Sequence, residues 1–352
     1  MNVSPSSPTV VVVGGGYGGT AAARALDDVA HVVLVEPRDA FVHNIGALRA
    51  VVDPAWAPRI FLPYDRLLTN GRVVCDRAVQ VAADRVLLGS GEEIRPDFIV
   101  LATGSSYPFP AKSDLAETDQ ALAKYRTTHS QLAAAKSVLL LGAGPVGIEL
   151  AGEITAAWPD KRVVLADIAD DILPGPYKPE LRSELRRQLS ERNVELVLGA
   201  HDPADLEADI VFRTHGVSPE TGYLADDLAA ARTADGRVAV TPELRAAGHD
   251  TVFALGDIAA DHVQKAATAQ RHAPVIADNI RTLITGDGEL AAYEPFPTAI
   301  VVPLGPSGGA GQLPDMDEIA GPDATAEIKG RHLMVEPLEQ ALGLPPTTAP
   351  PA

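Results

Sequence analysis

The 352-residue chain is expected to adopt an α/β fold built on two dinucleotide-binding units, with a smaller α+β region towards its C-terminal end. Three observations predict this. The glycine spacing G-x-G-x-x-G occurs twice. Each copy follows an apolar strand and opens a helical pattern, and each is completed by an acidic residue ending the next apolar run. A single such turn is a weak signal, whereas two complete copies in one chain point to two Rossmann-like units.

The first element is the strand TVVVV, which runs into Gly14, Gly15, Gly16, Tyr17, Gly18 and Gly19, with Ala23 four residues on. Gly14 allows a tight strand-to-helix turn and Gly16 lets backbone N–H groups approach a pyrophosphate. Gly19 lets the helix pack closely on the sheet, and the helix N-terminus adds partial positive charge. Glu36 ends HVVLVE, 22 residues after Gly14, where a carboxylate would accept from adenosine ribose hydroxyls. A small β insertion follows around RVVCDRAVQVAADRVLLGSGEEIRPDFIVLATG, in which short strands alternate with Gly and Asp turns. Its end places Thr103 and Gly104 after a strand.

The second unit opens with a helix near DQALAKYRTTHSQLAAAK and the strand SVLLL. It then repeats the fingerprint with Gly142, Gly144, Pro145, Val146 and Gly147, and Ala151 stands in the place of Ala23. Asp167 ends RVVLAD, 25 residues after Gly142. This acid would repel a 2′-phosphate, and Ile168, Ala169, Asp170 and Asp171 offer no arginine to receive one, so NADH is favoured over NADPH. The chain returns to the first unit at TVFALGDIA, with Gly256 and Asp257 after a strand. In two-dinucleotide enzymes the N-terminal copy is usually the FAD site, and an acid placed like Asp257 reaches the ribityl and phosphate region.

The domains expected are residues 8–111 and 243–288 for FAD, 112–242 for NADH, 289–342 as a C-terminal region and 343–352 as a disordered tail. In the C-terminal region AIVVPLGPSGGAGQLP suggests strands joined by turns, and MVEPLEQALGL a short amphipathic helix.

These segments resemble the pyridine-nucleotide-dependent flavoprotein reductases of the glutathione-reductase fold, over roughly residues 8–340. Within them the chain is most similar to the branch of type II NADH dehydrogenases and AIF-like ferroptosis suppressor proteins. EPRDAFVHNIGALRA, GAGPVGIELAGEI and KAATAQRHAPVIADNI carry the resemblance. It implies an FAD enzyme that takes hydride from NADH and passes electrons to a quinone-like acceptor. It also implies that Lys112 contacts the flavin, that Arg49 approaches the phosphates and that backbone at Ala78 binds adenine. Glu149, seven positions after Gly142, is implied to face the flavin–nicotinamide junction. Disulfide reductases of this fold carry C-x4-C where this chain reads AFVHNIGALRA, so no protein thiol is expected between flavin and acceptor. Cys75, the single cysteine, reads as a small buried residue.

Two further side chains are candidates for chemistry. Lys265, at the start of the helix after Asp257, would stabilise negative charge developing at flavin N1–C2=O. His43 would either donate a proton to a quinone or brace Asn44 and its loop. His272 reads as packing. No histidine and cysteine spacing suggests a metal site.

Composition bounds the partners. With 46% hydrophobic and 22% charged residues the chain is globular, and a net charge of −18 argues against nucleic acid and anionic membrane surfaces. MNVSPSSP is too short and polar for a secretory signal, Asn2 rules out N-myristoylation, and no run approaches the roughly 20 apolar residues of a membrane span. A cytoplasmic protein is expected, with peripheral membrane contact through the C-terminal region and a homodimer left open. The readings set against the quinone reductase are a ferredoxin-type reductase, a biosynthetic flavoenzyme and a flavin- and NADH-binding sensor of little turnover.

Overall fold

A computed structural model describes residues 7–199, 206–260 and 265–346. Its first sheet holds five parallel strands in the spatial order Val252–Ala254, Phe98–Leu101, Thr9–Val13, His31–Glu36 and Arg72–Cys75. The run TVVVV sits at the centre because both of its faces are covered, as a parallel strand requires. Val10 and Val12 pack towards Ala22, Ala23 and Leu26 of the helix Tyr17–Leu26, and Val11 and Val13 pack to the other side. The 20-residue helix Ala266–Thr285 lies on the Val10 side against Tyr17–Leu26, and Gly286 ends it in the left-handed region.

The second sheet has four parallel strands in the order Val194–Leu198, Arg162–Asp167, Ser137–Leu141 and Ile210–Arg213. The 17-residue helix Thr118–Ala134 precedes it, and the helix Pro145–Ala157 follows the strand Ser137–Leu141. The fold class is therefore the one expected, an α/β protein with two parallel nucleotide-type sheets.

Three expectations meet a different arrangement. The β insertion is a three-stranded antiparallel piece (Ala78–Ala82, Arg85–Leu88, Glu93–Ile94), but Arg72–Cys75 joins the main sheet as its edge strand. That edge position leaves Cys75 exposed, where an apolar-looking RVVC had suggested burial. The chain also returns to the first unit well before residue 242. Leu224, Leu228, Ala231 and Val238 are buried with Val11, Val33 and Ile99, so apolar matching to the open face of the first sheet recruits this stretch. Finally, Gly343 and Leu344 of the expected tail hydrogen-bond back to Gln340 and Glu339, and residues 347–352 lie outside the described residues.

The C-terminal region ties the two units together. The antiparallel hairpin Ile300–Leu304 with Gly308–Gln312 packs on the helix Pro145–Ala157, where a Cβ at Gly152 would come within 2.4 Å of Leu304 Cα. A short helix at Pro322–Thr325 continues into one π-helical turn, Ala326–Gly330. Leu333 and Met334 then take left-handed backbone, with φ of 46° and 60°, before the helix Val335–Ala341. Leu333 and Val335 belong to a core shared by residues 47–60 and the second sheet, and Leu338 and Leu342 to the core of the first.

Candidate dinucleotide sites and the junction between them

The first glycine turn is locked by short-range contacts. Gly14 sits at φ 108°, and a Cβ there would stand 2.5 Å from the Ala102 carbonyl oxygen. A Cβ at Gly19 would stand 1.9 Å from the Gly14 oxygen, which is why the third motif position has no side chain. The Gly15 N–H donates to Glu36 Oε2 at 2.7 Å, and the Tyr64 hydroxyl donates to the Gly15 oxygen at 2.8 Å. Gly16 caps the helix Tyr17–Leu26 without a side-chain hydrogen bond, and a Cβ on it would meet nothing within 4 Å. The first-turn N–H groups therefore face an open cradle at the positive end of the helix.

The second turn repeats this geometry. Gly142 sits at φ 117°, a Cβ at Gly147 would stand 2.0 Å from the Gly142 oxygen, and the space beside Gly144 is open. The Ala143 N–H donates to Asp167 Oδ2 at 2.6 Å, just as Gly15 donates to Glu36. Asp167 Oδ1 accepts from the Ala169 N–H at 2.9 Å, and Pro145 occupies the first helical position, where no N–H is lost. Ile168, the next residue, is 73% exposed. Both cradles fit the pyrophosphate of a dinucleotide, with an acid clasped to the loop beside each.

Thr103, Gly104, Lys112 and Asp257 gather at the end of the first sheet. Thr103 Oγ1 donates to the Glu220 oxygen at 2.6 Å, and the Glu220 N–H donates to the Gly104 oxygen at 3.0 Å. Lys112 Nζ donates to the Ser105 oxygen at 2.5 Å and lies 3.5 Å from Asp257 Oδ2, while Ser105 Oγ donates to that same carboxylate oxygen at 2.5 Å. Burial pulls the Lys112 ammonium below its usual range, against the pull of Asp257. Ser105, the hub of this cluster, carries no sequence signal. The Gly256 N–H donates to His272 Nδ1 at 3.1 Å, so this packed histidine also holds the turn before Asp257. Ala78 is buried and pairs with Leu88 at the start of the antiparallel piece.

The junction between the units is ionic and buried. Glu149 Oε1 accepts from Lys329 Nζ at 2.7 Å. Burial pushes the Glu149 carboxyl up, and the Lys329 ammonium pulls it back down. One helical turn on, Glu153 takes a bidentate pair of hydrogen bonds from Arg49, at 3.0 and 2.7 Å, with both side chains nearly fully buried. Arg49 also donates to the Arg331 and Gly330 oxygens, at 3.0 and 2.6 Å, and stacks 5.0 Å over Trp56. The resemblance implied phosphates for Arg49; its protein partners here are a carboxylate and two C-terminal carbonyls. Lys329 was not singled out from the sequence.

His43 is 1% exposed. Its Nε2 stands 2.6 Å from the Leu333 carbonyl oxygen, so Nε2 carries the hydrogen and donates. Nδ1 then accepts from the Tyr17 hydroxyl at 3.0 Å, and that hydroxyl accepts from the Ile45 N–H at 3.2 Å. Burial lowers the His43 pKa to about 4. Neutral, and bonded at both nitrogens, His43 links the Tyr17 hydroxyl to the Leu333 oxygen. Lys265, the N-cap of Ala266–Thr285, donates to the Ala299 oxygen at 2.8 Å and lies 5.3 Å over the Tyr177 ring, so its ammonium is engaged with the C-terminal approach.

Residues 8–273 match the family model described as pyridine nucleotide-disulphide oxidoreductase. The chain belongs to that family. It is 31% identical to ferroptosis suppressor protein 1 of Taeniopygia guttata, covering 87% of this chain and 89% of that one. It is 26% identical to apoptosis-inducing factor homolog B of Dictyostelium discoideum, over 93% of this chain and 95% of that one. The fold is similar to the solved sulfide:quinone oxidoreductase of Aquifex aeolicus, with a TM-score of 0.72 at 15% identity, covering 96% of this chain and 92% of that chain. The resemblance read from the glycine turns and the loop after Glu36 thus holds at the level of family. Among the described residues no helix is long and apolar enough to cross a membrane.

Proposed function

We propose that this family member is an FAD-dependent NAD(P)H oxidoreductase that takes hydride from NADH and passes electrons to a quinone-like acceptor. The observation that carries this reading is the duplicated cradle: two helix N-termini open at Gly16 and Gly144, each with an acid clasped to its loop. Gly14–Gly19 and Glu36 would hold FAD, with Thr103, Gly104, Lys112, Gly256 and Asp257 along its length. Gly142–Gly147 and Asp167 would hold the nicotinamide dinucleotide. Bound FAD supplies the redox chemistry, and the protein supplies alignment, charge and exclusion of water.

NADH is preferred on two grounds. Asp167, clasped to the second glycine turn, would repel a 2′-phosphate there, and Arg186 is already paired with Asp171. Glu149 would orient the carboxamide at the junction, itself held in place by Lys329 at 2.7 Å. A quinone-like acceptor is supported by the missing thiol relay: the loop after Glu36 has no cysteine, and Cys75 lies on the sheet edge. The fold similarity to a sulfide:quinone oxidoreductase points the same way. We place the protein in the cytoplasm; a quinone held in a bilayer would require peripheral contact.

The test is an anaerobic titration of the FAD-loaded protein with NADH, and separately with NADPH, watching the visible flavin band. Bleaching by one equivalent of NADH, reversed by a soluble quinone, is expected. A flavin that NADH does not bleach overturns the proposal.

A further inference from the structure

We propose that His43 and Arg49 are positioning residues that clamp the C-terminal segment 329–333, so that Lys329 is presented to Glu149 at the junction of the two nucleotide sites. The clamp has three anchors. His43 holds the Leu333 oxygen at 2.6 Å, Arg49 holds the Gly330 and Arg331 oxygens at 2.6 and 3.0 Å, and Lys329 itself meets Glu149 at 2.7 Å. The first two anchors come from the loop after Glu36, and the third from the helix of the second glycine turn. No local propensity would place the segment there. It comprises the end of a π-helical turn and a leucine at φ 46°, a conformation that a branched side chain adopts only when its surroundings over-determine it.

The arrangement also reaches the first cradle. The chain of hydrogen bonds runs from the Ile45 N–H to the Tyr17 hydroxyl, to His43, and on to Leu333. Tyr17 is the first helical residue after Gly16. The residue that follows the open cradle of one site is therefore connected through a single imidazole to the segment that supplies the cation of the other. The inference rests on the proposed function for its kinetic readout, but not for its structural one.

Two substitutions separate this role from proton donation. In His43→Gln the amide nitrogen takes the place of Nε2 and still donates to Leu333; in His43→Asn the amide oxygen takes the place of Nδ1 and the Leu333 oxygen loses its donor. Amide hydrogen exchange across residues 326–335 is measured on the FAD-loaded chain. It is expected to rise about tenfold in His43→Asn and to stay within about threefold of wild type in His43→Gln, since one charge-neutral buried hydrogen bond is at stake. Stopped-flow reduction by NADH should slow by about tenfold in His43→Asn and be restored by His43→Gln, with reoxidation by a soluble quinone unchanged in both. Equal exchange in the two variants overturns the clamp. Reoxidation slowed alike in both would overturn it in favour of a proton donor. A wild-type flavin that NADH does not reduce sinks the functional reading, while the exchange comparison still decides the clamp.

Discussion

Replacing Arg49 by methionine, which keeps the length of the stem and removes the charge, would strand a carboxylate. Glu153 is 4% exposed, and Arg49 donates to both of its oxygens, at 3.0 and 2.7 Å. Removing one partner of such a pair costs about 3–5 kcal/mol, because the remaining charge stays out of water. The Gly330 and Arg331 oxygens lose their donor as well, adding roughly 1–2 kcal/mol. A loss of about 5 kcal/mol is therefore expected for Arg49→Met. The double variant Arg49→Met/Glu153→Leu removes both charges and should cost only about 2 kcal/mol, mostly for the two carbonyls. The assay is urea unfolding of the FAD-saturated protein followed by tryptophan fluorescence. Trp56 stacks against the guanidinium groups of Arg49 and Arg59, at 5.0 and 4.5 Å, and reports this site directly. A single variant costing under about 1 kcal/mol, or a double variant costing the sum of both single changes, would refute the buried-pair argument.

Other outcomes follow from the same geometry. Gly144→Val projects into open space at an ordinary negative φ, so it should fold with wild-type stability yet weaken NADH binding by about tenfold or more, as read by flavin bleaching. Gly147→Ala should do the reverse and destabilise the fold by several kcal/mol, because its Cβ would stand 2.0 Å from the Gly142 oxygen. His43 is neutral when folded, with a pKa of about 4, and ionises near 6.5 when unfolded. Its contribution to stability is thus complete above pH 6.5 and should fall by about 2 kcal/mol between pH 7 and 5. Replacement by glutamine should flatten that slope in unfolding titrations, and an unchanged slope would count against it. Cys75→Ser should leave both half-reactions at wild-type rates, because the thiol lies at an edge strand and partial burial, with the charges of Asp39, Glu117 and Glu36 behind it, pushes its pKa up.

The parts of this molecule that the sequence reveals are those decided within a few residues. The turn at Gly14–Gly19 depends on one backbone oxygen five positions back, and Glu36 closes the next apolar strand, 21 residues after the amide it accepts from. Their spacing is therefore visible as a pattern. Lys329 meets Glu149 across 180 residues, and it sits in a π-helical turn with no apolar period to mark it. Likewise the partners of Arg49 and His43 lie 104 and 290 residues away, so residue type could suggest chemistry for them but not position. The early return of the chain at Leu224 is written in scattered apolar residues and isolated bridges, and no continuous run announces it. Cys75 shows the limit of local propensity: RVVC does form a strand, but which strand lies at the edge is a property of the whole sheet.

The interleaving of the two sheets has a consequence for how the protein is made. All four strands of the second sheet lie between residues 137 and 213, and their segment of the chain emerges from the ribosome as one block. The first sheet waits for its last strand, Val252–Ala254, and for the helix Ala266–Thr285 that covers Leu26 and Leu34. During synthesis the inner unit can close while the outer one stands open, its valine-rich centre bare on one face for the time needed to add more than a hundred residues. At roughly 5–20 residues per second that is an interval of several seconds or longer. The half of the molecule that starts first is the half that finishes last, and that interval is when a nascent chain of this protein most needs a chaperone.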